Sequence, residues 1–197
     1  MFWKIIIVLI IILYIYSYYR YPKQTTIQQT HYSMFRTDIL LNKQPLIIDD
    51  NLLSMKNTDN TDTYTNIDVE KFKDEWFGIN PFSNTKWSLT GSNWIRNRYK
   101  YGLLQCISPS INILLCNPNS NPNKDINSDS DQSQSQSQDI DVSINIVEVQ
   151  LTKGQLIIVP LHWYYLIYNE PNTETSNTET SNIECIGIHD FVTYFLI

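Results

Sequence analysis

KGQLIIVPLHWYYLIYN, residues 153–169, is the stretch on which the fold turns. Lys153-Gly154 reads as a tight turn, and Leu156–Val159 is a continuous apolar run that Pro160 breaks. Trp163–Asn169 then opens a second strand, rich in aromatic side chains. A short apolar run between glycine and proline marks a buried strand. The segment leading into it, Asp141–Leu151 (DVSINIVEVQL), is also strand-like. Val142, Ile144 and Ile146 alternate with polar residues, and Val147, Val149 and Leu151 continue with the opposite parity. That change of face predicts a bulge near Ile146-Val147.

Further upstream, Tyr101–Ile107 and Ile111–Cys116 flank Ser108-Pro109-Ser110 and predict a hairpin. Downstream, Ile183–Ile197 supplies a final strand and room for one more element. Residues 117–139 and 170–182 are low-complexity runs of Asn, Ser, Gln, Asp, Thr and Glu. They have almost no apolar content to bury and predict disordered loops. Nearer the start, Pro45 leads Leu46-Ile47-Ile48 into a strand suited to a sheet edge. Residues 51–66 read as loop, and Val69–Phe77 as a short helix with Val69, Phe72 and Trp76 on one face. Trp87 and Trp94 read as core plugs. Little of residues 34–197 is helical, so a mainly β domain follows, an antiparallel sandwich or barrel.

Composition narrows the function classes. The 197 residues suit one domain with an appendage, and 42% hydrophobic residues are enough for a core. The net charge of −6 and the lack of a basic patch argue against nucleic acid as a partner. Cys106, Cys116 and Cys185 are odd in number and form no CxxC pair. They read as core thiols, not as a disulfide framework or a zinc site.

Residues 1–20 carry a different signal. Phe2–Tyr19 reads FWKIIIVLIIILYIYSYY, with an apolar run from Ile5 to Tyr16. An α-helix of this length spans ~27 Å, close to the ~30 Å hydrocarbon core, and predicts a single-pass transmembrane anchor. Trp3, Tyr18 and Tyr19 suit the membrane interfaces, and Lys4 is near enough to the end to snorkel. The competing reading, a cleaved signal peptide, lacks a small-residue cleavage site, because tyrosines occupy that region. Lys4 on one side and Arg20 with Lys23 on the other leave orientation nearly balanced. No Asn begins an N-x-[ST] sequon in this Asn-rich chain, which favours a domain facing the cytosol. Residues 21–33 are polar and aperiodic and read as a tether.

The strand and turn residues at 153–169 resemble the cupin superfamily, specifically its jumonji-like (JmjC, cupin-8) group. Gly154, Pro160, Trp163, Tyr164, Tyr165 and Asn169 fall on that group's glycine–proline–aromatic–asparagine pattern. Pro45–Ile48 looks like its early strand, and Leu115 with Pro118 matches part of a later segment. More narrowly, the short anchor together with Pro160–Tyr165 (PLHWYY) is similar to the membrane-anchored cupin-like proteins of large DNA viruses. The resemblance implies a double-stranded β-helix (jelly-roll) over residues 34–197, on a virion or host membrane.

An active member of that group holds Fe(II) with His-x-Asp/Glu and a distal His. Here none of His31, His162 and His189 begins such a motif, and Tyr165 stands at the distal ligand position. His162 and His189-Asp190 remain as weak metal candidates, although neighbouring residues on a strand point to opposite faces. No nucleophile–base pair or phosphate loop stands out. The expectation is therefore a catalytically inactive membrane-anchored module, structural or binding, with no catalytic residue and no cofactor. Two alternatives stay open. One is an Fe(II)/2-oxoglutarate oxygenase with a rearranged metal site. The other is a small-molecule-binding cupin whose mouth is lined by Trp163, Tyr164 and Tyr165. The membrane is the expected partner, and the sequence points to no protein partner.

Overall fold

A computed structural model describes residues 2–22, 24–49, 67–78, 85–88, 93–120, 122, 146–168 and 183–195. The expected loops at 51–66 and 170–182 lie outside the described residues, as does the one at 117–139 except for residues 117–120 and 122, where Asn117 and Ser120 are buried and not disordered. Helix α1 (Phe2–Tyr19) is followed by β1 (Gln28–His31), two 3-10 turns (Tyr32–Met34 and Thr37–Asn42) and β2 (Leu46–Asp49). Helix α2 (Val69–Phe77) precedes β3 (Thr85–Ser88), β4 (Ile95–Arg96), β5 (Tyr101–Cys106) and β6 (Ser110–Cys116). The chain closes with β7 (Ile146–Thr152), β8 (Leu156–Pro160), β9 (Tyr164–Tyr168), β10 (Ile183–Ile188) and helix α3 (Phe191–Phe195).

The strands form two sheets. The larger has the order β1-β2-β8-β5-β10-β3, and the smaller the order β4-β9-β6-β7. All pairings are antiparallel except β1 with β2. From β3 to β10 the chain alternates between the sheets, staying within one sheet only at the β6–β7 step.

Alternation along each strand explains the two layers. Leu104, Cys106, Ile157, Val159 and Cys185 of the larger sheet face Ile111, Ile113, Leu115, Leu151 and Ile167 of the smaller one, and all are buried. The opposite parity of the larger sheet, Leu103, Leu156, Ile158 and Ile186, packs under α2 and the 3-10 turns with Phe35, Leu40 and Phe72. Its central strands are thus covered on both faces, which is why β8 is apolar at every position.

Helix α2 forms as its pattern predicts. Asp68 caps it by accepting from the Lys71 amide at 3.1 Å, and Val69 and Phe72 are buried. Trp76 packs edge-on against Phe35 at 4.8 Å between ring centres. Trp87 packs partly buried against the inter-sheet core. The three cysteines are buried free thiols.

Four expectations change. β5 and β6 do not pair as a hairpin, because β5 bonds to β8 and β10 while β6 bonds to β7 and β9. The Ser108-Pro109 connection instead crosses between the sheets and meets the β7–β8 turn, where Lys153 donates its amide to the Pro109 carbonyl and Gly154 donates to Cys106. β2 is interior, not an edge, because β1 pairs with it. β1 itself falls within the expected tether at 21–33, so a polar strand hides in a stretch lacking apolar periodicity. No bulge occurs at Ile146-Val147: β6 and β7 stay in register from Cys116↔Ile146 to Ser110↔Thr152.

Among the described residues no helix is long and apolar enough to cross a membrane. α1 has 18 residues, ~27 Å at 1.5 Å per residue, short of the ~30 Å that a hydrocarbon core requires. It is nevertheless apolar on all sides, and Phe2, Trp3 and the run Ile7–Leu13 are exposed.

Candidate functional site

The residues singled out from the sequence gather at one end of the two-sheet body. Here β8 runs into β9 through a tight turn, Pro160-Leu161-His162-Trp163, closed by the Trp163 amide donating to the Pro160 carbonyl at 3.4 Å. His162 takes a left-handed backbone at φ 65 to complete it. A non-glycine residue there costs ~1–2 kcal/mol, so the surroundings must hold it in place.

They do so through Asn97. Its side-chain amide donates to the carbonyls of Val159 (2.8 Å), Pro160 (2.9 Å) and Tyr99 (3.1 Å), and its oxygen accepts the Tyr99 amide at 3.1 Å. Its backbone carbonyl accepts from His162 at 2.8 Å, and its amide donates to Trp163 at 2.8 Å. One buried asparagine thus binds the β4–β5 connection to the β8–β9 turn.

The aromatic residues divide by parity. Trp163 and Tyr165 are fully buried in the inter-sheet core, while Tyr164 turns outward and carries Arg96 over its ring at 5.9 Å. The three side chains expected to line one mouth therefore do not share a face. Trp163 reaches the second left-handed residue, Lys43 (φ 52), by donating its indole N–H to the Lys43 carbonyl at 2.9 Å. Burial holds the Tyr165 phenol well above its ordinary range, so it stays neutral.

His162 is buried beside Tyr21, with ring centres 6.0 Å apart. Burial first, then the nearby Arg96 and Lys43 charges, lower its pKa to about 4. A neutral imidazole can ligate a metal, but two flanking cations oppose a third. His189 has different neighbours: Tyr99 at 4.7 Å and Tyr194 at 5.8 Å between ring centres. Burial lowers its pKa too, against an opposing pull from Asp190.

Asp190, which the sequence offers as half of a metal pair, serves α3 instead. Its carboxylate accepts the Thr193 amide at 3.0 Å, its own amide donates to the Thr193 hydroxyl at 2.8 Å, and its other oxygen pairs with Lys100 at 3.1 Å. An Asp immediately before a helix is the sequence signal for such a cap. Among the described residues no three His, Cys, Asp or Glu side chains are grouped to hold a metal.

Inward positions at this end are filled by aromatic rings. Tyr99 stacks on Trp87 with ring centres 4.7 Å apart. A Cβ at Gly187 would stand 2.3 Å from the Tyr99 ring, so only glycine admits it. Asn97, Tyr99, Gly187 and Lys43 escape sequence reasoning because their roles depend on strands far apart in the chain.

The same end receives α1. The Lys43 ammonium donates to the carbonyls of Ser17 and of Arg20, the latter at 3.1 Å, which places a cation at the negative end of the helix. Asn117 donates to the Pro22 carbonyl at 2.9 Å. No protein-family model matches the chain, and no curated protein matches it.

Proposed function

We propose that this chain is a membrane-anchored jelly-roll domain of cupin or jumonji type, acting as a binding or structural module and not as an oxygenase. The observation that carries this reading is the packed space between the sheets, where Trp163, Tyr165, Trp87 and Tyr99 occupy inward positions. A jelly-roll is supported by the larger–smaller–larger–smaller–smaller–larger–smaller–larger order of β3 to β10. A membrane anchor is supported by α1, whose apolar surface is left exposed by the other described elements. The likeness to membrane-anchored cupin-like proteins of large DNA viruses rests on the sequence pattern at 153–169 and on α1.

Metal analysis of the purified full chain tests the inactive reading. The expected result is no stoichiometric iron after incubation with Fe(II) and 2-oxoglutarate. Iron bound in a 1:1 ratio and lost in His162→Ala or His189→Ala would overturn it. Deleting residues 2–19 tests the anchor: the shortened chain is expected to leave the membrane fraction.

A further inference from the structure

We infer that the end of the barrel joined to α1 is a second membrane contact, in which Arg20, Arg96 and Arg98 meet anionic lipid headgroups while Leu41, Tyr194 and Phe195 enter the interfacial layer. The inference rests on the reading of α1 as a membrane anchor and adds the barrel's own contribution.

Three features of the structure converge. The first is placement. Lys43, Arg20, the 97–100 connection, the 160–163 turn and α3 all lie at this end, linked by the Lys43–Arg20, His162–Asn97, Leu161–Lys100 and Lys100–Asp190 contacts. The second is exposure. Leu41 is 78% and Phe195 61% exposed, and Tyr194 is nearly half exposed, although Leu41 follows buried Leu40 and the two aromatics follow buried Val192 and Thr193. The third is charge. Arg20, Arg96 and Arg98 are exposed cations on a chain of net charge −6. Asp49, Asp68 and Glu184 sit towards the opposite end, near Leu156 and Gln105. Asp38 and Asp190 near this end are paired with Arg36 and Lys100, so the three arginines leave it locally positive and suited to an anionic surface.

Helix length gives the reason for such a contact. The Lys43 ammonium grips the carbonyl of Ser17, so the last turn of α1 is held against the barrel. Only Phe2–Tyr16 precedes that grip, ~22 Å of helix, short of a ~30 Å hydrocarbon core. Burying that length fully requires the barrel end to press into the headgroup layer. The exposed apolar and basic side chains are those suited to that layer.

The test uses the full chain, labelled with an environment-sensitive fluorophore at Leu41→Cys or, as a control at the opposite end, Ile107→Cys. The probes are vesicles of phosphatidylcholine alone or mixed with phosphatidylserine. The expected result is co-flotation, a blue shift and quenching by nitroxide lipids at position 41, and a water-like signal at 107. Arg96→Gln/Arg98→Gln is expected to weaken binding to the anionic vesicles roughly tenfold or more at low salt and to leave binding to neutral vesicles unchanged. If the chain floats with vesicles but position 41 stays as wet as 107, the barrel contact is wrong and the anchor stands. If the double variant binds anionic vesicles as well as the parent does, the arginines make no lipid contact. If the full chain floats with neither vesicle, the anchor reading falls and takes this one with it.

Discussion

His162 shows how one residue ties backbone strain to electrostatics. Its left-handed turn is held by Asn97, and its ring is buried beside two cations. The folded pKa of about 4 lies below the ordinary 6.5, so the unfolded chain binds the extra proton first as the pH falls. Stability from this group is intact above pH 6.5, declines from 6.5 to 4 and levels off below 4, an effect on the order of 3 kcal/mol at about 1.4 kcal/mol per unit. Urea denaturation of the full chain in detergent is expected to show that slope, and His162→Gln to flatten it. At Gly187 the question is space. A methyl group there would collide with the Tyr99 ring, so Gly187→Ala is expected to cost ~1–3 kcal/mol. Loss of Tyr99–Trp87 near-ultraviolet dichroism would report it, and Tyr99→Ala in the same chain should recover part of the loss. Gly187 does not announce itself in the sequence, and His162 stands out there only as a metal candidate, because the role of each is defined by a neighbour on another strand.

Elements with their own periodicity were legible; elements defined by partners were not. α2 appears where Val69, Phe72 and Trp76 align, and β7, β8 and β9 appear where the turn at Gly154 and the break at Pro160 place them. The error at β5 and β6 has a physical cause. A hairpin and a sheet-to-sheet crossover both need two apolar runs around a short turn, and only the covered outer face of β5 distinguishes them. β1 was missed because its four residues are Gln, Gln, Thr and His, held by backbone bonds to β2 and by the Gln28 amide donating to the Pro45 carbonyl at 3.0 Å. A chain trimmed to begin at Met34 should therefore melt several degrees below one beginning at Thr25, since the trim strips an edge from β2. Asn97→Ala leaves the carbonyls of Val159 and Pro160 without their shared donor and is expected to cost ~1–3 kcal/mol, read by thermal melting.

At the scale of the molecule, stability is graded across the sheets. β8 and β5 lie in the middle of the larger sheet and are covered on both faces, whereas β1 and β3 are its edges. Amide exchange is expected to be slowest in β8 and β5 and fastest in β1 and β3. The candidate site was legible as a place, the turn after Pro160, but not as a chemistry. Its sequence preserves aromatic residues whose alternate positions point into the core and out of it, and only the pairing of β9 with β4 and β6 fixes which is which.

The Asn117–Pro22 hydrogen bond has a mechanical consequence. It fixes the chain only a few residues beyond α1, just as Lys43 grips the end of the helix. The two-sheet body is therefore mounted on a stiff bracket and does not swing on a rope. A flexible tether would let it sweep a hemisphere about α1 and would lose that freedom on meeting a target. A bracket surrenders the freedom in advance, so the exposed outer face of the smaller sheet, with Glu148 and Gln150, is held at one height and one tilt relative to α1. A partner of that face loses less freedom on docking than it would against a body on a swinging tether.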